Sequence, residues 1–133
     1  MTLVVDASMV VSALVDAGGA GRWAEAKLAS GPLCAPHLMP VEVTNVLRRT
    51  AASGKIAQDV ASMAVADFLD LRIEFFPFAP FAPRIWELRA HVSCYDAWYV
   101  ALAEFLESNV ATLDGRLARA AGPRCGFETP PVS

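Results

Sequence analysis

A chain of 133 residues, 55% hydrophobic and 19% charged, fits one domain that buries a core without disulfide or metal staples. Its net charge of −3 argues against a domain that holds nucleic acid by bulk basic charge, and no uninterrupted run of about 20 apolar residues offers a membrane span. The apolar fraction exceeds the roughly 45–50% of ordinary globular chains, so some apolar surface is expected to meet a second copy of the chain or another protein.

The N-terminal run Met1-Thr2-Leu3-Val4-Val5-Asp6 has no basic stretch and reaches an acid at position 6, so no secretory leader is expected. Thr2 to Val5 is β-branched and apolar, the pattern of a buried strand. Ala7 to Val15 continues as an apolar helix, and residues 16–21 read as a Gly-rich, mobile connection. Arg22 to Ala29 is a second helix, stopped by Ser30-Gly31-Pro32, and Leu33 to Ala35 a short strand. Pro40 suits the first turn of a helix, where its missing N–H does no harm. That helix carries Val43, Val46 and Leu47 and ends near Ser53-Gly54. Ile56, Val60, Met63, Ala64, Phe68 and Leu71 repeat at helical spacing. Arg72 to Phe76 reads as a strand, Pro77 to Pro83 as a connector, and Arg84 to His91 as a helix. Ser93 opens the next helix, apolar nearly all round from Ala97 to Leu106 and therefore buried on several sides. Val110 to Thr112 is a strand, Gly115 to Ala121 a short helix, and an edge strand follows Gly126 before a loosely ordered tail from about residue 128. The alternation of strand and helix predicts an α/β domain with a mostly parallel sheet covered on both faces. Cys34, Cys94 and Cys125 are odd in number and far apart, without metal-ligand spacing; reduced thiols in a cytoplasmic protein are expected.

Among the fourteen acids, four stand out by position. Asp67, Asp70, Glu104 and Glu107 lie on helices and are expected to face water. Asp6 and Asp114 follow strands, while Glu42 and Asp96 sit in the first turns of helices. Each has a capping explanation, since acids complement helix N-termini and Ser93-x-x-Asp96 resembles a capping box. Together they suggest more. In a parallel sheet, strand C-termini and the helix N-termini that follow share one edge, where ligands bind. Asp6, Glu42 and Asp114 are expected to converge there; the placement of Asp96 does not follow from the local pattern. Two unit charges about 5 Å apart repel by roughly 3 kcal/mol at an effective dielectric near 20, so clustered carboxylates call for a cation or stay partly protonated. Hard oxygen donors without a nearby thiol or imidazole select Mg²⁺ or Mn²⁺ over zinc. An acid–base carboxylate pair of the glycosidase kind is the rival use, disfavoured by the α/β pattern.

Four blocks of the chain resemble the PIN-domain family, and more narrowly the VapC toxins of type II toxin–antitoxin pairs. They are Val4-Val5-Asp6-Ala7-Ser8; Pro40-Val41-Glu42-Val43-Thr44-Asn45-Val46-Leu47-Arg48-Arg49; Tyr95-Asp96-Ala97-Trp98-Tyr99-Val100-Ala101-Leu102-Ala103-Glu104; and Thr112-Leu113-Asp114-Gly115-Arg116-Leu117. The match runs in order from residue 3 to about 121. The resemblance implies a single PIN domain over residues 1–133, a three-layer α/β/α sandwich. It implies an endoribonuclease that uses Mg²⁺, with Mn²⁺ as a substitute, and cuts RNA with metal-activated water, leaving a 5′ phosphate. It also implies a cognate antitoxin and commonly a homodimer. The family's metal-holding acids match Asp6, Glu42, Asp96 and Asp114, with Asp6 and Asp96 as first choices for direct ligands. Thr112 and Ser8 match small hydroxyl positions near the site. Asn45, one turn after Glu42, is placed to orient that carboxylate. Arg116 is placed to reach an RNA phosphate; Arg48 and Arg49 are expected on the surface.

His37 and His91 have no paired ligand and are expected in structural or solvent roles, and Trp23, Trp86 and Trp98 as core or interface anchors. A phosphoacceptor receiver domain would need paired acids after the first strand and a late lysine, whereas Asp6 stands alone and the lysines are Lys27 and Lys55. An Asp-x-Asp phosphatase fails because Ala7-Ser8 follows Asp6. A housekeeping RNA-processing nuclease without antitoxin keeps the chemistry and changes the biology; a degenerate, partner-binding domain is disfavoured by four intact acids.

Overall fold

Five short runs of apolar and β-branched residues form the strands of the computed structural model, which describes residues 2–132. They are β1 (Leu3–Val5), β2 (Leu33–Pro36), β3 (Ile73–Phe76), β4 (Asn109–Ala111) and β5 (Phe127–Glu128). All pair in parallel, in the order β3-β2-β1-β4-β5. β1, β2 and the last two residues of β4 are buried throughout, as expected of central parallel strands with both faces covered. The chain leaves β1 to build outward in one direction through β2 and β3, and later returns to pair β4 on the other side of β1. The sheet's topological switch point therefore lies between β1 and β4, beside Asp6 and Asp114.

Among the described residues seven α-helices complete an α/β/α sandwich: α1 (Ala7–Val15), α2 (Gly19–Leu28), α3 (Met39–Ala52), α4 (Gln58–Asp70), α5 (Ala82–Glu87), α6 (Cys94–Leu106) and α7 (Gly115–Ala118). The first four pack among themselves, whereas α6 lies on β1, β2 and β4 with α5 against it. From Ala97 to Ala103, α6 is buried at every residue, which is why its sequence is apolar all round. No helix among the described residues is long and apolar enough to cross a membrane.

The structure corrects several expected boundaries. The connection after α1 shrinks from residues 16–21 to 16–18, because α2 begins at Gly19 rather than Arg22. Asp16 organises this tight corner: its carboxylate accepts from Gly18 N–H at 2.8 Å and from Ser12 Oγ at 3.3 Å. The corner brings α2 so close that a Cβ on Gly21 would lie 1.7 Å from the Asp16 carbonyl oxygen. The atom in the way is backbone and cannot swing aside. Gly21→Ala is therefore expected to destabilise the fold by about 3 kcal/mol, the upper end of ordinary overpacking; urea unfolding checks this.

Further along, α5 starts at Ala82 instead of Arg84, since a 3₁₀ turn over Ala79–Phe81 leads into it and Pro83 fits its first turn. Glu104 does not face water. Arg84 grips it with Nε at 2.7 Å and Nη2 at 3.0 Å, and Arg124 N–H adds a bond of 2.8 Å. Burial pushes the Glu104 carboxyl up, but the Arg84 hydrogen bonds and charge hold it below its usual value. At the other end of the chain, β5 places Glu128 within reach of Lys27 Nζ (2.6 Å) and Asn109 Nδ2 (3.0 Å). Val41, Met63, Leu69, Trp86 and Phe105 are each more than 60% exposed. Trp98 belongs to the core, Phe78 lying edge-on to it at 5.4 Å.

Candidate active site

Asp6 is the most deeply placed of the four acids, 8% exposed at the C-terminal end of β1. Its Oδ1 accepts from Met9 N–H at 3.0 Å, so it is the N-cap of α1, and also from Ser8 Oγ at 2.7 Å. Its Oδ2 accepts from Thr112 Oγ1. Thr112 in turn accepts from Asp114 N–H at 3.0 Å, and Ser8 Oγ accepts from Leu113 N–H at 3.2 Å. Two hydroxyls thus stitch the end of β1 to the segment after β4 across the switch point. Asp114 caps α7 by accepting from the N–H groups of Arg116 (2.9 Å) and Leu117 (3.3 Å). The capping explanation holds for both strand-end acids, but a cap needs only one N–H acceptor. It does not account for the hydroxyl pair on Asp6.

Asp96 enters the site from α6. Ser93 caps that helix by accepting from Asp96 N–H at 3.1 Å, which leaves the Asp96 carboxylate outside the cap. Glu42 projects from the first turn of α3 and is half-buried. Its Oε1 accepts from Tyr99 Oη at 2.5 Å. Burial and like charge act together on these groups. Burial raises the Asp6 carboxyl most, against its hydrogen bonds from Thr112, Ser8 and Met9, and the Asp96 charge adds to the rise. Burial also raises Glu42, opposed by Tyr99 and reinforced by Asp6 and Asp96. Asp96 is raised by burial and by Asp114, against Ser93 and Arg116. The acids are therefore electrostatic neighbours: Glu42, Asp6 and Asp96 act on one another, and Asp114 acts on Asp96. They form an open group: among the described residues no three His, Cys, Asp or Glu side chains are gathered into a ready-made cage for one ion.

A cleft of about 280 Å³ beside Asp96 and Asp114 is lined also by His91, Ser93 and Arg116. Arg116 is exposed at its rim. Asn45 is not where the sequence placed it: it is exposed and its Oδ1 accepts from Arg48 Nε at 3.0 Å, so it holds an arginine and not Glu42. Tyr99 does that work, and the sequence reading gave it no role. The signal is there, since Tyr99 lies one turn beyond Asp96 and carries the one hydroxyl of the buried stretch Ala97–Ala103, and a buried hydroxyl needs a partner. His91, expected in a structural or solvent role, packs on Gly122 and borders the cleft. Chemically, the arrangement is a rim of hard oxygen donors with one flanking guanidinium, able to hold a hard divalent cation and an anionic substrate.

Residues 3–123 match the PIN domain family. Ribonuclease VapC1 of Mycobacterium tuberculosis is 38% identical over 123 residues, 92% of each chain. Ribonuclease VapC9 of the same organism is 35% identical over 129 residues, 97% of this chain and 98% of that one. Among solved structures, VapBC2 from Rickettsia felis, bound to a DNA fragment from its promoter, superposes with a TM-score of 0.70 at 15% identity, covering 98% of this chain and 100% of that one. That last likeness is one of fold.

Proposed function

The chain belongs to the PIN domain family, and on that footing we propose that it is a divalent-metal endoribonuclease, the toxin member of a toxin–antitoxin pair. The observation that carries this reading is Asp6: a carboxylate buried at the switch point, held by two hydroxyls and charged against Asp96. The names of the sequence relatives favour RNA as substrate.

The donor set fits Mg²⁺ or Mn²⁺. Carboxylate oxygens dominate it, the acids repel one another, and their open arrangement suits ions that keep several waters and take one or two carboxylates directly. Asp6 and Asp96 would hold the ion, with Glu42 and Asp114 flanking it. When bound, such a cation neutralises the acids, makes water more acidic and offsets charge on the phosphate. The protein supplies preorganisation. Ser8 and Thr112 fix Asp6 in one orientation, so nothing has to rearrange when substrate arrives. Asp114 is fixed by its cap, which sets the outer wall of the cleft. Arg116 stands at the rim to pair with a phosphate of the incoming strand, and Ser93 and His91 line the path beyond it. The exposed Val41, Met63, Leu69 and Phe105 offer apolar surface for protein partners, an antitoxin and a second copy of the chain.

The test is direct. The purified protein should cleave RNA in Mg²⁺, stop when EDTA removes the metal, and resume when excess Mg²⁺ or Mn²⁺ is restored. Cleavage that persists in EDTA would remove the metal from the reaction.

A further inference from the structure

We infer that Tyr99 is a positioning residue, whose hydroxyl fixes the Glu42 carboxylate for divalent-metal binding. The inference rests on the reading of Glu42 as part of the metal site. Tyr99 is 3% exposed, in a stretch of α6 where every residue from Ala97 to Ala103 is buried. Phenylalanine would fill the same space without a polar atom. A buried hydroxyl is unfavourable unless it is hydrogen-bonded, and the partner of this one is Glu42 Oε1, at 2.5 Å and 57 positions away in the chain. Glu42 needs such a partner. It is the longest of the four acids, with one more rotatable bond than an aspartate, and it caps nothing: α3 has no side-chain cap. Asp6 and Asp114 are held by N–H groups of their own helices, whereas for the Glu42 carboxylate the one hydrogen bond found among the described residues comes from Tyr99. That bond takes one carboxylate oxygen and leaves Oε2 without a protein donor, on a side chain that feels the charges of Asp6 and Asp96. Partners that orient a ligand in this way typically change metal affinity about 10–100-fold when removed.

The experiment titrates Mn²⁺ into the full chain by calorimetry, for wild type, Tyr99→Phe, Glu42→Ala and the double variant, with melting in EDTA as a measure of the fold. Tyr99→Phe should weaken Mn²⁺ binding about tenfold. In the Glu42→Ala background the same change should have no further effect, because there is no carboxylate left to position. A purely structural tyrosine would shift melting in EDTA and leave Mn²⁺ affinity equal to wild type; that result overturns the inference. Weakening of the same size with and without Glu42 also overturns it. Should Tyr99→Phe alone fail to fold, folding of the double variant would support the pairing, and failure of both would refute it. Glu42→Ala with unaltered Mn²⁺ affinity would instead sink the reading of Glu42 on which the inference rests.

Discussion

Asp6→Asn is expected to lower RNA cleavage by about a hundred- to a thousandfold, while the folded protein melts higher in EDTA. The first half follows from placement: loss of one preorganised electrostatic contact at a reacting centre commonly lowers turnover about 10²–10³-fold, and Asp6 is both the best-held acid of the group and its most buried. The second half follows from what asparagine keeps and loses. Its carbonyl oxygen accepts from Met9 N–H as the aspartate does, and asparagine ranks with aspartate as an N-cap. The Ser8 and Thr112 hydroxyls can turn to suit an amide. The negative charge disappears, and with it the burial penalty and the repulsion from Asp96 that raise the Asp6 carboxyl. The melting temperature should therefore rise, each 1 kcal/mol of relief showing as roughly 3 °C in a domain of this size. Calorimetry or circular dichroism in EDTA, alongside an RNA cleavage assay, checks both. A clear fall in melting temperature would make Asp6 a cap and little else.

The metal-free protein is also expected to grow more stable as pH falls towards the ordinary carboxylate range, opposite to the usual acid destabilisation. Asp6, Glu42 and Asp96 all have folded-state pKa values raised above their ordinary values, burial being the largest cause in each. Such groups bind more protons in the folded state than in the unfolded one. Their contribution is fully present below the ordinary carboxylate range and is lost as pH rises through the raised values. Glu104 and Glu128 run the other way, lowered in the fold by Arg84 and Lys27 respectively. Their contribution is lost only as pH falls below their ordinary values, so it leaves the range above those values to the first three. Saturating Mn²⁺ should reverse the trend, because protons then compete with the cation for the same oxygens. Melting curves in EDTA and in Mn²⁺ across this range test the pair of slopes. Parallel slopes in the two buffers would show that the cation does not bind these acids.

Much of this was legible in the sequence because parallel sheets impose strong local patterns. Val4-Val5, followed by an acid and an apolar helix, marks a buried strand whose end carries a polar side chain, and the ranges of α1 and β3 came out within a residue. The strand order was not legible. Pairing of β4 beside β1 joins segments about a hundred residues apart, and no local periodicity encodes that. The glycine-rich composition of residues 16–21 suggests a longer connection than the corner at Asp16–Gly18, where the missing Cβ of Gly21 lets two helices touch. Asn45 was chosen by helical spacing from Glu42, yet Arg48 lies at the same kind of spacing and takes it. Asp96 was placed only through resemblance. Its position depends on how α6 crosses β1 and β4, and the local pattern gives its neighbour Tyr99 no partner for the same reason: that partner, Glu42, comes from α3.

What all of this depends on is a cation between the acids that follow β1 and open α6. A crystal soaked in Mn²⁺ and measured at the manganese absorption edge locates the ion directly. An anomalous peak within bonding distance of the Asp6 and Asp96 carboxylates is the expected result; a fully soaked crystal with no peak at that rim of the sheet would contradict the account.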